Sequence, residues 1–401
     1  MADLRARLIG IAGAVVFAGL ALASGLDRIS AQDTSLAASV PGPFQVNAAR
    51  VLANDAIVRQ QLHQAMLYAG KAVARDPMSA DSVSLLAQTL LLSGKAEEAR
   101  RAFQVSESHG WRDPPTQVYW MLQALERRDW PEASRRLDAV LRQAPRFDQR
   151  NELLKLFEAW PDGREQLARR LAAEPSWKQP YFQDLDELPD ISLHMRGDVA
   201  KRLGSMGEKE RDCDLIAPLL WSMPDLLGYP ETRDVWASHC SAPDDTPYLV
   251  DPGFERTRLA RPRSPFDWRF AARGEIDVTL APADGFAGKA ITVSSTAPGR
   301  RRFAQQPILL PPGEYTMTWR AMNSEGMPAT GLTVSIECSP EAFRPLSAAI
   351  LDSAKGRFSA DFSVAATCDP QWLALAIRPG LEPVTIDDFA IASKVRVPRA
   401  N

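Results

Sequence analysis

The chain reads as an α + β protein of two folds in series, an α-helical solenoid followed by an antiparallel β-sandwich. Three observations predict this. Apolar residues recur at helical spacing with a 34-residue period from about residue 47. Beyond about residue 249 the pattern changes to the alternation of short strands. A polar, proline-rich stretch, SAPDDTPYLVDP at 241–252, separates the two. The length of 401 residues suits two or three domains with real cores. A formal net charge of −3 excludes a dedicated nucleic-acid binder, which carries a basic excess.

The first element is apolar. Arg5 and Arg7 precede an uncharged stretch of 19 residues, Leu8 to Leu26. A membrane span needs roughly 20 apolar residues, so the stretch meets the requirement narrowly. Ala21-Leu22-Ala23 and Ile29-Ser30-Ala31 are small-residue cleavage patterns, which also suits a signal peptide. Residues 1–31 are therefore an anchor or a signal peptide, and residues 32–46 a linker. The basic flank sends the bulk of the chain out of the cytoplasm in either case.

The cysteines agree with an oxidising compartment. Four cysteines allow three pairings, and we expect Cys213 with Cys240 and Cys338 with Cys368. Cys338 ends the strand-like run LTVSIEC, and Cys368 lies just before QWLALAI, so neighbouring strand ends would bring them together. No C-x-x-C occurs, which argues against a zinc ribbon or redox motif. Without export, four buried thiols would be the alternative.

Residues 47–245 form the helical repeat. Ala65, Ala99 and Ala133 are each 34 apart, inside the runs QQLHQAMLYAGKAVARDP, GKAEEARRAFQ and WPEASRRLDAVLRQAP. Tyr68, Phe103 and Leu137 follow as large apolar partners, and Pro77 and Pro145 end the first and third runs. Leu86, Ala87, Gly94, Ala99 and Phe103 carry a resemblance to the tetratricopeptide repeat, a 34-residue helix–turn–helix unit. Ala99 would sit at a close helix crossing, and Gly94 would end the first helix in a left-handed conformation. The sequence departs from that pattern at Val83, where the family has Trp, and in the ending GWRDPP of the middle unit. Leu167 and Leu171 extend the register into a degenerate fourth unit, and Leu203-Gly204 opens a fifth. The resemblance implies a groove for a protein partner, with a plain spacer as the alternative. Arg100-Arg101, Arg127-Arg128 and Arg135-Arg136 lie beside Glu97, Glu98, Glu126 and Asp129 and read as solvated faces.

Residues 249–396 form the β domain. EIDVTLAP, KAITVSS, EYTMTWRAM, LTVSIECS, RFSADFSVA, QWLALAIRP and VTIDDFAIA read as strands, a spacing that suggests a sandwich of the jelly-roll kind. In order, DPGFE at 251–255, PFDWRF, QQPILLPPGEYTMTWRA and VTIDDFAI are similar to galactose-binding-like jelly rolls, in particular the carbohydrate-binding modules of families 4 and 9. That resemblance implies a structural calcium between the first and last strands, held by Glu255 and Asp387. The alternative is that these carboxylates only accept backbone hydrogen bonds. A sugar platform would need an exposed aromatic face, but alternation turns Tyr315 and Trp319 inward, and Trp268 and Trp372 also read as core. Any glycan site would instead use loops at Arg269 and at Arg300, Arg301 and Arg302, with an acidic polysaccharide as the first ligand class.

No G-x-S-x-G, H-E-x-x-H or phosphate loop is present, and His63, His109, His194 and His239 are scattered. The sequence thus points to a non-catalytic envelope scaffold. The resemblances imply inner-membrane attachment with periplasmic bulk, or release to the periplasm after cleavage. Its solenoid would hold a protein partner, and its β domain would bind glycan or dock, as an accessory of exopolysaccharide assembly or export. The competing reading is an assembly factor of a membrane enzyme complex with a purely structural jelly roll.

Overall fold

The structure is a computed structural model that describes residues 2–143, 149–185, 188–206, 212–271 and 274–394, with side chains from residue 9 onward and without that of Leu381. Pro145 and residues 395–396, and the side chains of Arg5 and Arg7, lie outside what is described. The chain divides into two compact units, residues 1–157 with 173–177, and residues 158–172 with 178–401. The division thus falls inside the helical region, and the later helices belong with the β-sandwich.

The first unit opens with α1 (Ala2–Ile29), a 3-10 turn (Ser30–Gln32), α2 (Thr34–Ala37) and a second 3-10 turn (Gly42–Phe44). Residues 32–46, expected as a linker, are instead folded: Ala37 and Val40 form a small core with Ala48 because this stretch is apolar at those positions. Helical hairpins follow: α3 (Asn47–Val58) with α4 (Leu62–Arg75), α5 (Ala80–Leu92) with α6 (Ala96–Ser108), and α7 (Pro114–Glu126) with α8 (Trp130–Gln143), then α9 (Arg150–Glu158). Ala65, Ala99 and Ala133 are fully buried, as close crossings require.

Each hairpin turns in the same way. Gln60, Gly94 and Arg128, 34 apart, all have positive φ (60°, 77° and 58°). The next backbone N–H in each case closes on a carbonyl five residues earlier: Gln61 on Ala56, Lys95 on Leu90 and Asp129 on Ala124, at 2.8–2.9 Å. Only the middle unit fills this left-handed position with glycine, so the other two turns are less legible in the sequence.

The second unit contains α10 (Pro161–Ala172), α11 (Lys178–Gln183), α12 (Asp190–Ser205), α13 (Cys213–Ser222), α14 (Pro224–Leu227) and α15 (Tyr229–His239). A Cβ at Gly204 would lie 2.5 Å from the Ser238 carbonyl oxygen, so α12 and α15 cross where only glycine fits. The strands are β1 (Arg269–Phe270), β2 (Ile276–Pro282), β3 (Lys289–Ser295), β4 (Arg301–Ile308), β5 (Gly313–Asn323), β6 (Leu332–Glu337), β7 (Ala349–Asp352), β8 (Arg357–Val364), β9 (Gln371–Ile377) and β10 (Gly380–Ser393). They make two antiparallel sheets, ordered β1-β4-β9-β6 and β2-β3-β10-β5-β8-β7, packed around one apolar core. Tyr315, Met317 and Trp319 face that core, as their alternation predicts. Cys213 is bonded to Cys240, joining α13 to the end of α15, and Cys338 to Cys368, joining the end of β6 to the approach to β9. No free cysteine remains.

Candidate functional site

The first unit carries an open groove lined by the leading helices of three successive hairpins. Its apolar part is a cleft of about 430 Å³ between Leu91 of α5 and Val118, Tyr119 and Leu122 of α7, floored by Phe103 and Val140. The Tyr119 ring stacks on Phe103 at 4.1 Å between centroids, which fixes the wall. Leu91 and Leu122 are 44% and 41% exposed, a high value for leucines facing a concavity.

Gln88, Pro114 and Pro115 continue the groove into a polar cleft of about 420 Å³ with Asn47, Arg50, Asn54, Asp81 and Asp113. Arg50 is already held there, by Asp76 at 2.9 Å and by the hydroxyls of Ser79 and Ser82 at 2.6 and 2.8 Å. Asp113 caps α7 by accepting the Thr116 N–H at 2.9 Å and the Ser84 hydroxyl at 3.0 Å. Burial raises its pKa above the ordinary value despite those bonds. The repeat pattern located the hairpins but not these lining residues. On α7 the signal was Val118 and Leu122, apolar and four apart; α3 and α5 carry no comparable pair in the groove.

The second unit brings Glu255 and Asp387 together. The DPGFE segment folds as a tight turn: the Phe254 N–H donates to the Asp251 carbonyl at 3.1 Å, and Trp268 Nε1 donates to the same oxygen at 3.1 Å. A bulge in β10 between Asp387 and Ala390, with Asp388 at φ 55°, turns Asp387 inward. Asp387 is fully buried, and neither carboxylate oxygen has a hydrogen-bond partner. Burial pushes its pKa up to about 7; the nearby Asp388 backbone N–H, too poorly aligned to form a full hydrogen bond, opposes the rise, and the negative charges of Asp388 and Glu255 add to it. Glu255 Oε1 accepts the Lys289 N–H at 2.9 Å. Gly288, at φ +74°, leaves room for that carboxylate, since a Cβ there would lie 1.7 Å from Oε1.

Two buried carboxylate oxygens without partners, beside a second carboxylate, fit a hard divalent cation such as calcium. Among the described residues no three His, Cys, Asp or Glu side chains gather, so Asp387 and Glu255 would hold the ion with backbone carbonyls and water. The ion would supply a charge bridge between the first turn and the last strand. Arg320, 3.2 Å from Asp388, and the bulge itself were not foreseen from the sequence.

The arginines are not gathered into one loop. Arg301 and Arg302 begin strand β4, paired with Ile377 and Ala376, because the run RRFAQQPI continues the sheet; the expected loop contains only Arg300 of the three. Arg302 donates to the Pro340 carbonyl. Arg269 lies over Trp221 and Trp372, at 4.9 and 5.3 Å from the ring centroids. Arg300 and Arg301 are exposed. Trp372 also meets Tyr229 of α15 edge-on at 5.8 Å, so helices of the same unit cover this part of the outer sheet. Trp268, Tyr315, Trp319 and Trp372 are all buried, and no aromatic side chain of the sandwich is exposed among the described residues.

No protein-family model matches this chain. No curated protein matches it either. Solved structures with similar parts include a candidate sugar-binding protein from Bacteroides thetaiotaomicron, at 12% identity and a TM-score of 0.25, covering 37% of this chain and 95% of the other. PilF of Pseudomonas aeruginosa matches at 20% identity and a TM-score of 0.25, over 49% of this chain and 99% of its own. The N-terminal modules of a Clostridium thermocellum endo-1,4-beta-D-xylanase match at 16% identity and a TM-score of 0.25, over 38% of this chain and 30% of theirs. Similarity at this level carries no functional argument.

Proposed function

We propose that this protein is a non-catalytic adaptor of the bacterial cell envelope whose groove holds a segment of a protein partner. The observation that carries the reading is the apolar cleft of about 430 Å³ between α5 and α7, where Leu91 and Leu122 stay exposed in a concavity. The apolar α1 and the two disulfides support export to an oxidising compartment. The β-sandwich acts as a docking module. The cover that Tyr229 and Arg269 form over Trp372 favours this role. A role in exopolysaccharide assembly remains attached to the second reading, in which exposed Arg300 and Arg301 meet an acidic glycan.

Two measurements test these readings. Leu91→Asp with Leu122→Asp should abolish co-purification of the partner from solubilised membranes while leaving the melting temperature of the protein nearly unchanged. Undiminished co-purification would remove the groove reading. Affinity electrophoresis in acidic polysaccharide gels, with Arg300 and Arg301 changed to Ser, tests the glycan reading. Equal mobility of both forms would leave only docking.

A further inference from the structure

Helix α3 begins at Asn47 with Val46 as its N-cap, a residue whose side chain cannot accept a hydrogen bond. The cap comes from elsewhere in the chain. Asp27, in the last turns of α1, turns its carboxylate onto this terminus. Its Oδ1 accepts the backbone N–H groups of Val46 at 3.0 Å and Ala48 at 2.9 Å, and its Oδ2 accepts the Asn47 N–H at 3.1 Å and the Asn47 Nδ2 at 3.1 Å. Asp27 is 6% exposed, so these bonds are shielded from water. Around it, Leu26 packs against the Ala37, Val40 and Ala48 cluster, and the Ser30 hydroxyl donates to the Asp27 carbonyl at 2.7 Å.

The earlier part of the same helix is built differently. Ile9, Ile11, Val15, Val16, Phe17, Leu20 and Leu22 are all exposed, and within the apolar span Ile9–Gln32 the free residues 9–25, before the packed Leu26, fall at the short end of the length that crosses a membrane. Removal of the chain up to Ala31 would take Leu26, Asp27 and Ser30 with it and leave the α3 terminus uncapped. Removal up to Ala23 would leave Asp27 on a remnant of six helical residues, too short to hold itself as a helix.

We propose that α1 is retained as a membrane anchor and that Asp27 locks its exit end into the solenoid, so that one rigid element joins the bilayer to the groove. Ala31, just beyond the lock, lines the polar cleft with Asn47, Arg50 and Asn54. The groove mouth therefore opens beside the point where the chain leaves the membrane. The side of the membrane on which it opens rests on the export reading above; retention and locking do not.

The test uses the full chain with a C-terminal tag, expressed in a bacterial host. Intact mass of the purified protein should include residues 2–31, and a mass beginning after Ala23 or Ala31 overturns the proposal. All native cysteines are in disulfides, so Gln88→Cys gives a single reactive thiol for a fluorophore in the groove. In nanodiscs of phosphatidylethanolamine and phosphatidylglycerol with acceptor-labelled headgroups, energy transfer should report one narrow distance distribution. Asp27→Leu should broaden that distribution and lower the melting temperature of the solenoid by about 2–4 °C. Asp27→Asn, which keeps one acceptor, should give a smaller broadening and serves if the leucine variant does not accumulate. Unchanged transfer in either variant overturns the lock. Protease accessibility in spheroplasts reads export separately, and a cytoplasmic bulk would refute that reading while leaving the mass and transfer results intact.

Discussion

Replacing Asp387 by Asn is expected to stabilise the protein in the presence of a chelator above pH 7 and to abolish its stabilisation by calcium. The Asp387 carboxyl is buried without partners, and its pKa rises from 3.8 to about 7 on folding. Below pH 3.8 both folded and unfolded chains hold the proton, and the group contributes nothing. Between 3.8 and about 7 the unfolded chain loses its proton while the folded chain keeps it, so stability falls as pH rises through this window. Above pH 7 the loss is complete, and at about 1.4 kcal/mol per pH unit it amounts to about 4 kcal/mol. An asparagine carries no such cost. With calcium bound, the charge becomes an asset, and an ion at about 100 times its dissociation constant would return about 2.7 kcal/mol. Urea unfolding followed by near-ultraviolet circular dichroism, at pH 5 and pH 8, in chelator and in calcium, gives the comparison. A variant no more stable than the parent at pH 8 in chelator would refute the reasoning about Asp387. Equal midpoints of the parent in chelator and in calcium would refute the ion.

Ala99→Leu should cost about 1–3 kcal/mol in urea unfolding, because Ala99 is fully buried in a repeat crossing. Arg128→Gly should add about 0.5–1 kcal/mol to stability by the same assay, since Arg128 holds φ at 58° where glycine is unstrained. Intact-mass analysis after alkylation without reductant should find no modified cysteine, and reduction should lower the melting temperature, each bridge being worth about 2–4 kcal/mol.

The parts of the fold that were legible are those where one physical requirement leaves a periodic mark. Ala65, Ala99 and Ala133 mark helix crossings because only a small side chain fits, and Tyr315, Met317 and Trp319 mark a core face because strand side chains alternate. The short β1 and β7 were not foreseen; two to four residues are too few to show alternation. The arginine run at 300–302 looked like a loop because charge usually lies in loops, yet strand pairing with Ile377 and Ala376 continues through Arg301 and Arg302. The Asp27 cap was invisible for a different reason: its partners lie 19–21 residues away, and nothing local distinguishes it from any acidic residue after a span. Glu255 and Asp387 were paired on resemblance, but the burial of Asp387 without side-chain partners could only come from three dimensions.

The central claim is that the groove between α5 and α7 holds a protein segment, and photocrosslinking in living cells tests it most directly. A photoreactive residue at Val118, on the groove wall, is expected to give one adduct of discrete mass in the membrane fraction. Adding Tyr119→Asp should eliminate the adduct, and the same photoreactive residue at Val105, exposed on α6 outside the groove, should give none. An adduct that survives Tyr119→Asp, or that forms equally from Val105, would contradict the account.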